Sequence, residues 1–358
     1  MNIKPLKIGE LIARLPIIQG GMGVGVSRSK LATAVTNAGG IGVISSAQIG
    51  YDEEGFKQNP INANLIALRK HIKKAKKDVK DGIIGLNIMV ALTNYEKYVE
   101  TAIQSGIDLI ISGAGLPTKL PELVKNSKVK IAPIVSSLRS AKTILKVWDR
   151  KSKTTADMVV IEGPKAGGHL GFSLDQLQNN SVDLDQVLLE VLNEVKFYEE
   201  KYDKQIPVVV AGGIYTGADI AHFLKLGASG VQMATRFIAT EECDAHENFK
   251  KMYVNCSKNQ IELVKSPVGL PGRAISNQLV EKIKHENVLS EQCYGCLSLD
   301  HCDRVNIPYC ISQKLIEAVK GDVDNGLFFC GDTAHRINKI VKVQDLMNEL
   351  ETDILAVE

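Results

Sequence analysis

PVVVAGGIYTGADIAHFLKLGASGVQM, residues 207–233, holds one complete unit of the fold. Val208 to Ala211 is an apolar run of strand length, ended by Gly212-Gly213. Ala218 to Leu226 has the length of a helix, and Gly227 ends it through the left-handed conformation that glycine tolerates. Gly230 to Met233 then starts a second strand. The same grammar returns in AVTNAGGIGVIS at 34–45 and TAIQSGIDLIIS at 101–112, where a glycine stops the helix and an apolar strand follows.

Working outward, further short apolar runs occur at Pro16 to Gln19, Ile83 to Val90, Ile131 to Val135 and Met158 to Ile161. They bring the count to eight strands, near 16, 41, 84, 109, 131, 158, 207 and 230. Strands alternating with helices imply right-handed crossovers and a parallel sheet buried on both faces. Eight such units predict an α/β fold of the closed (β/α)8 TIM-barrel type rather than an open doubly wound sheet, with glycines gathered just after the strand C-termini. The barrel is expected over 1–256. The long, initially polar connection at about 172–204 reads as a lid insertion. Beyond it, 257–358 reads as a C-terminal extension packed on the barrel, with a Cys-rich segment at 293–310.

The chain has 358 residues, 44% of them hydrophobic, and a formal net charge of +2. That core is large enough for a barrel, and the near-neutral balance argues against a nucleic-acid or membrane surface. The basic run RKHIKKAKKDVK at 69–80 reads as the solvated face of a helix. MNIKPLKIGELIARLPII lacks the apolar core of a signal peptide, and no segment is long enough to span a bilayer. With seven cysteines and no export signal, a reduced cytoplasmic setting is expected. A homo-oligomer is left open.

The stretch with the most chemistry is Gly163-Pro-Lys-Ala-Gly167-Gly168-His169-Leu-Gly171, which follows the strand at Met158 to Ile161. Four glycines in nine residues let backbone approach a flat ligand closely. The lone His169 is the side chain best suited to proton chemistry near neutral pH. Taken alone, the residues equally allow His169 to cap the next helix or bond a nearby carbonyl. Two later loops, Ala211-Gly212-Gly213-Ile214 and Gln232-Met233-Ala234-Thr235, follow the last two strands, where many barrels cradle a phosphate on backbone N–H groups.

PIIQGGMG at 16–23, GLNIMV at 85–90, EGPKAGGHLG at 162–171, VVVAGGIYTGADI at 208–220, GVQMATRFIATEE at 230–242 and SPVGLPGRAI at 266–275 resemble the nitronate monooxygenase family. That family was formerly called 2-nitropropane dioxygenase and is related to flavin-dependent enoyl-ACP reductases. The resemblance implies non-covalent FMN. Gly21, Met22, Gly23 and Asn87 would then face the flavin ring, and Glu162, Gly167 and Gly168 would continue that wall. Gly212, Gly213, Gln232, Met233, Ala234 and Thr235 would surround the phosphate. His169 matches the family histidine at the substrate and is the candidate catalytic residue.

The implied reaction is oxidation of a small alkyl nitronate, with electron transfer to FMN and then to molecular oxygen. His169 would orient the anion by a hydrogen bond and, when cationic, offset its charge. Two positions depart from the family pattern. Pro164-Lys165 stands where relatives carry an acidic residue, and Ala234 stands where glycine is common.

Cys293, Cys296, Cys302 and Cys310 are spaced C-x2-C-x5-C-x7-C, with His301 nearby. Four thiolates at short spacing are the donor set of a zinc site or an iron–sulfur cluster, although the spacing matches neither usual pattern. Three rival functions are distinguishable. An NAD(P)H-dependent enoyl-ACP reductase shares the Gly-Gly-His loop. An IMP-dehydrogenase-type enzyme needs a cysteine in that loop, and none is there. A flavin-binding redox sensor using the cysteines would show no turnover.

Overall fold

Val159, Val160 and Ile161 are fully buried but face opposite ways: the outer two join the layer beneath the helices, and Val160 joins the barrel interior. Val208, Val209 and Val210 divide in the same manner. This two-residue alternation inside continuously apolar runs is what a parallel sheet covered on both faces requires. The computed structural model describes residues 1–290, 292–297, 302 and 307–357.

A hairpin of β1 (Leu6–Ile8) and β2 (Leu11–Ala13) comes first. The barrel strands are β3 (Ile17–Gln19), β4 (Ile41–Ser45), β5 (Ile84–Met89), β6 (Leu109–Gly113), β7 (Lys130–Val135), β8 (Val159–Glu162), β10 (Val208–Ala211) and β11 (Gly230–Met233). They close in the order β10-β11-β3-β4-β5-β6-β7-β8, with every pair parallel and β8 returning to β10. All eight expected strands fall where the periodicity puts them, and the fold is a (β/α)8 barrel. Leu6, Ile8 and Ala13 of the hairpin pack with interior residues Ile18, Ile41 and Val209, so the hairpin plugs the N-terminal end.

The helices are α1 (Ser29–Asn37), α2 (Pro60–Asp78), α3 (Tyr95–Gln104), α4 (Leu120–Val124), α5 (Leu138–Ser152), α6 (Leu174–Gln178), α7 (Leu184–Tyr202), α8 (Gly217–Lys225), α9 (Thr235–Ile238), α10 (Glu247–Val254), α11 (Gln278–Ile283), α12 (Ile311–Val319) and α13 (Val343–Ala356). Among them, α7 packs on α5 and β10 in the ring of barrel helices, and the short α6 lies between it and the histidine loop. The last helix also joins that ring: α13 packs on α1 and α8 and buries Val343, Leu346, Met347, Leu350 and Ile354.

The remaining strands are β9 (Gly168–His169), β12 (Ile261–Lys265) and β13 (Pro271–Ile275). They form a separate antiparallel sheet in the order β12-β13-β9. This joins the histidine loop to the C-terminal part of the chain, with His169 opposite Gly272 and Gly168 opposite Arg273.

Candidate active site

Lower in the barrel the interior is lined by the apolar Ile18, Ile41, Val43, Leu109, Val160 and Val209. At the strand C-termini the inward positions become polar. Asn87 alternates with the outward Leu86 and Ile88, and Gln232 with the outward Val231 and Met233; Glu162 lies two residues beyond the inward Val160. All three keep partial exposure although their strand neighbours Leu86, Ile88, Val231, Met233 and Ile161 are buried. Because the strands are parallel, these residues and the loops after β3, β8, β10 and β11 share one mouth of the barrel.

The loop after β3 is held from within. Gln19 bonds Gly20 O and both backbone groups of Val43. Met22 N donates to Ser27 Oγ at 2.8 Å, and Ser27 N returns a bond to Met22 O at 3.0 Å. Glycine is required at 21, where a Cβ would collide with Asn87, so bare backbone lies beside that amide.

At the expected phosphate loops, Gly212 and Gly213 adopt φ of +95° and +84°. Among the described residues, the N–H groups of Gly212, Gly213, Ala234 and Thr235 have no protein acceptor. Unsatisfied donors gathered at the start of a helix suit an anion. Thr235 Oγ1 accepts a bond from Gly331 N at 3.2 Å, which leaves its own proton free to donate outward. Ala234 has φ −124°, outside the positive-φ range that calls for glycine. Capping of α8 fixes the far end of the first loop: Asp219 accepts from Tyr215 N and Thr216 N at 2.9 and 2.8 Å.

Glu162 lies inside the mouth, and among the described residues no protein group bonds its carboxyl. Burial pushes its pKa up to about 7. His169 lies on β9, with Nε2 2.6 Å from Ser266 Oγ and its ring edge-on to Phe329 at 5.0 Å. Burial pushes His169 down to about 4, so it is a neutral imidazole at pH 7. Desolvation with no carboxylate partner favours the uncharged ring, which leaves hydrogen bonding as the contact it offers.

Several residues that shape the site carried no chemical signal in the sequence. Arg273, 8% exposed, donates to Ala166 O in the glycine loop. Cys330 N bonds Arg273 O at 3.0 Å, and Asp332 N bonds Lys165 O at 3.1 Å, so the segment 330–332 lies across the glycine loop. Lys165 itself is exposed and runs its stem beside Gly213. Only SPVGLPGRAI hinted at this region, as a resemblance without an assigned role.

Cys293, Cys302 and Cys310 all lie near enough to Cys296 to act on it electrostatically. Among the described residues no three His, Cys, Asp or Glu side chains converge to hold a metal ion. Cys293 is exposed and accepts from Gly295 N, Cys296 bonds Ser312, and Cys310 is buried at the start of α12. Burial, with Cys310, Cys302 and Cys293 nearby, pushes the Cys296 thiol up to about 11. His301 lies outside the described residues.

A closed parallel barrel with a polar, glycine-lined mouth and a free anion cradle defines a (β/α)8 protein suited to a flat, phosphorylated cofactor. The chain belongs to the nitronate monooxygenase family, whose model matches residues 4–353. It is 25% identical over 306 residues to a probable nitronate monooxygenase of Staphylococcus saprophyticus, covering 79% of this chain and 81% of that one. It is 30% identical over 271 residues to the (3aS,4S,5R,7aS)-5-hydroxy-7a-methyl-1-oxo-octahydro-1H-indene-4-carboxyl-CoA dehydrogenase of Mycobacterium tuberculosis, covering 75% of this chain. The match spans 65% of that relative's length. Among solved structures, FabK from Thermotoga maritima superposes with a TM-score of 0.72 at 26% identity, over 96% of this chain and 93% of that one. Nitroalkane oxidase from Streptomyces ansochromogenes shares the fold at 19% identity, with a TM-score of 0.72 over 96% of each chain. Among the described residues no helix is long and apolar enough to cross a membrane.

Proposed function

We propose that the protein binds FMN non-covalently at the barrel mouth and oxidises alkyl nitronates with molecular oxygen, releasing a carbonyl product and nitrite. One observation carries this reading: a neutral, half-buried His169 beside a glycine-lined recess whose free N–H donors suit a phosphate. Gly212, Gly213, Gln232, Met233, Ala234 and Thr235 would hold the phosphate end. Gly21, Met22, Gly23, Asn87, Glu162, Gly167 and Gly168 would line the ring. FMN, when bound, supplies the electron chemistry between substrate and oxygen.

The protein's own part is binding, orientation and exclusion of water. Segment 330–332 seals the glycine loop, and Phe329 fixes one edge of the His169 ring. His169 then meets the substrate by hydrogen bonding rather than by charge, since its ring is neutral at working pH. Steady-state oxygen uptake with propyl-2-nitronate tests the reading. Nitrite should appear in step with oxygen loss, and flavin-loaded protein that consumes neither would end it. The same assay with NADPH and an unsaturated acyl thioester separates it from a reductase, toward which the likeness to FabK leans.

A further inference from the structure

Lys165 brings a positive charge to a position where the family pattern has a negative one. Its stem covers the first phosphate loop: a Cβ at Gly213 would stand 3.0 Å from Lys165 Cβ and 3.1 Å from its Cδ. Its peptide is tied to the second loop. Lys165 O accepts from Asp332 N at 3.1 Å, and the adjoining Gly331 N bonds Thr235 Oγ1 at 3.2 Å. The residue is therefore fixed at its backbone and laid along Gly213, with the ammonium two bonds beyond Cδ. A stem packed on the protein and a solvated charged head are how a lysine sits at a polar rim.

The other cations packed against these loops are engaged. Arg236, next to Thr235, bonds both carboxylate oxygens of Glu349 at 2.8 and 3.1 Å and Tyr215 O at 3.2 Å. Arg336 stacks on Tyr215, with Cζ 4.1 Å from the ring centre. Arg273 donates to Ala166 O. Among the described residues no carboxylate pairs with the Lys165 ammonium. The loops themselves offer only neutral donors, the N–H groups of Gly212, Gly213, Ala234 and Thr235 and the Thr235 hydroxyl. A phosphate monoester is largely dianionic at pH 7, and a charged donor holds it more strongly than a neutral one.

We propose that Lys165 is a specificity-determining residue that supplies the countercharge to the phosphate monoester of the ligand, so that the mouth selects the phosphorylated flavin over riboflavin by charge as well as by N–H donors. An acidic side chain laid along Gly213 would oppose the same dianion. The inference rests on reading the two loops as the FMN phosphate site.

The test is titration of the full-length protein, freed of flavin, with FMN and separately with riboflavin, at low and at high salt. In the wild type, salt should weaken FMN and leave riboflavin unmoved, because it screens an exposed charge pair. Lys165→Met keeps the stem and removes the charge. At low salt its FMN Kd should rise about fivefold, the upper range for an exposed ion pair, while the riboflavin Kd stays put and the FMN difference closes at high salt. Lys165→Arg should bind FMN as the wild type does, and Lys165→Glu should weaken it more than Lys165→Met. Wild-type FMN affinity that ignores salt overturns the proposal before any variant has to fold. So does a Lys165→Met protein with unchanged FMN affinity, or one that loses FMN and riboflavin equally, since that marks a packing role. Both results leave FMN bound by the wild type and the cofactor reading intact; a wild type that binds no FMN ends that reading and the proposal with it.

Discussion

Gly167 lies flat against the peptide of Cys330: a Cβ at 167 would stand 2.6 Å from the Cys330 carbonyl carbon and 2.7 Å from Gly331 N. The glycine loop after β8 and the C-terminal segment therefore meet backbone to backbone, with no side chain between. Gly331 N also bonds Thr235 Oγ1, so this contact ties the histidine loop to the phosphate loop.

Gly167→Ala should push segment 330–332 outward. Forcing a methyl into a packed contact costs about 1–3 kcal/mol. We expect weaker FMN retention, read by flavin fluorescence released on dilution, with little change in far-UV circular dichroism. Undiminished retention would mean that the seal does not bear on the cofactor.

Gly213→Ala strains a residue at φ +84° and brings its Cβ to 3.0 Å from Lys165. Left-handed backbone costs a non-glycine residue about 1 kcal/mol, which corresponds to roughly a fivefold rise in the FMN Kd. Gly168→Ala, at φ +75° with open space around it, should carry the backbone strain without the clash. Isothermal titration of apoprotein with FMN separates the two.

Much of this was legible beforehand. All eight strands could be placed because parallel barrel strands are continuous apolar runs punctuated by glycine, a signal that survives without side-chain detail. The mouth residues Gly21, Asn87, Glu162 and Gly213 followed from the motifs. Ser266 and Arg273 did not, because they reach His169 and its loop through an antiparallel sheet between segments about a hundred residues apart, and no periodicity encodes that pairing. Spacing along the chain likewise says nothing about where Cys310 goes once it starts a helix, and no metal site is found among the described residues.

Glu162 gives a pH signature. Its pKa is raised from 4.5 to about 7, so the folded state prefers the protonated form. Stability from this group is fully present below about pH 4.5 and is lost as pH rises through 7, by no more than about 3 kcal/mol. Glu162→Gln should therefore raise the apoprotein Tm at pH 8 and leave it nearly unchanged at pH 4. His169 works in the opposite sense: its pKa falls from 6.5 to about 4, so its contribution is lost as pH drops from 6.5 through 4. An equal Tm gain for Glu162→Gln at both pH values would contradict the assignment.

His169→Ala should lower kcat/KM for propyl-2-nitronate by tenfold or more, the loss of one hydrogen bond to a charged or reacting group being worth about 1.5–3 kcal/mol. Flavin content should be unchanged, because none of the free phosphate-loop donors belongs to residue 169. Unaltered kcat/KM would remove His169 from the reaction.

The most direct measurement is the visible spectrum of the flavin-loaded protein under anaerobic conditions, in matched aliquots given propyl-2-nitronate or NADPH. The account predicts loss of the oxidised-flavin band with the nitronate, its return on admitting oxygen, and no bleaching by NADPH. Bleaching by NADPH alone would contradict it and assign the barrel to a pyridine-nucleotide-dependent reductase.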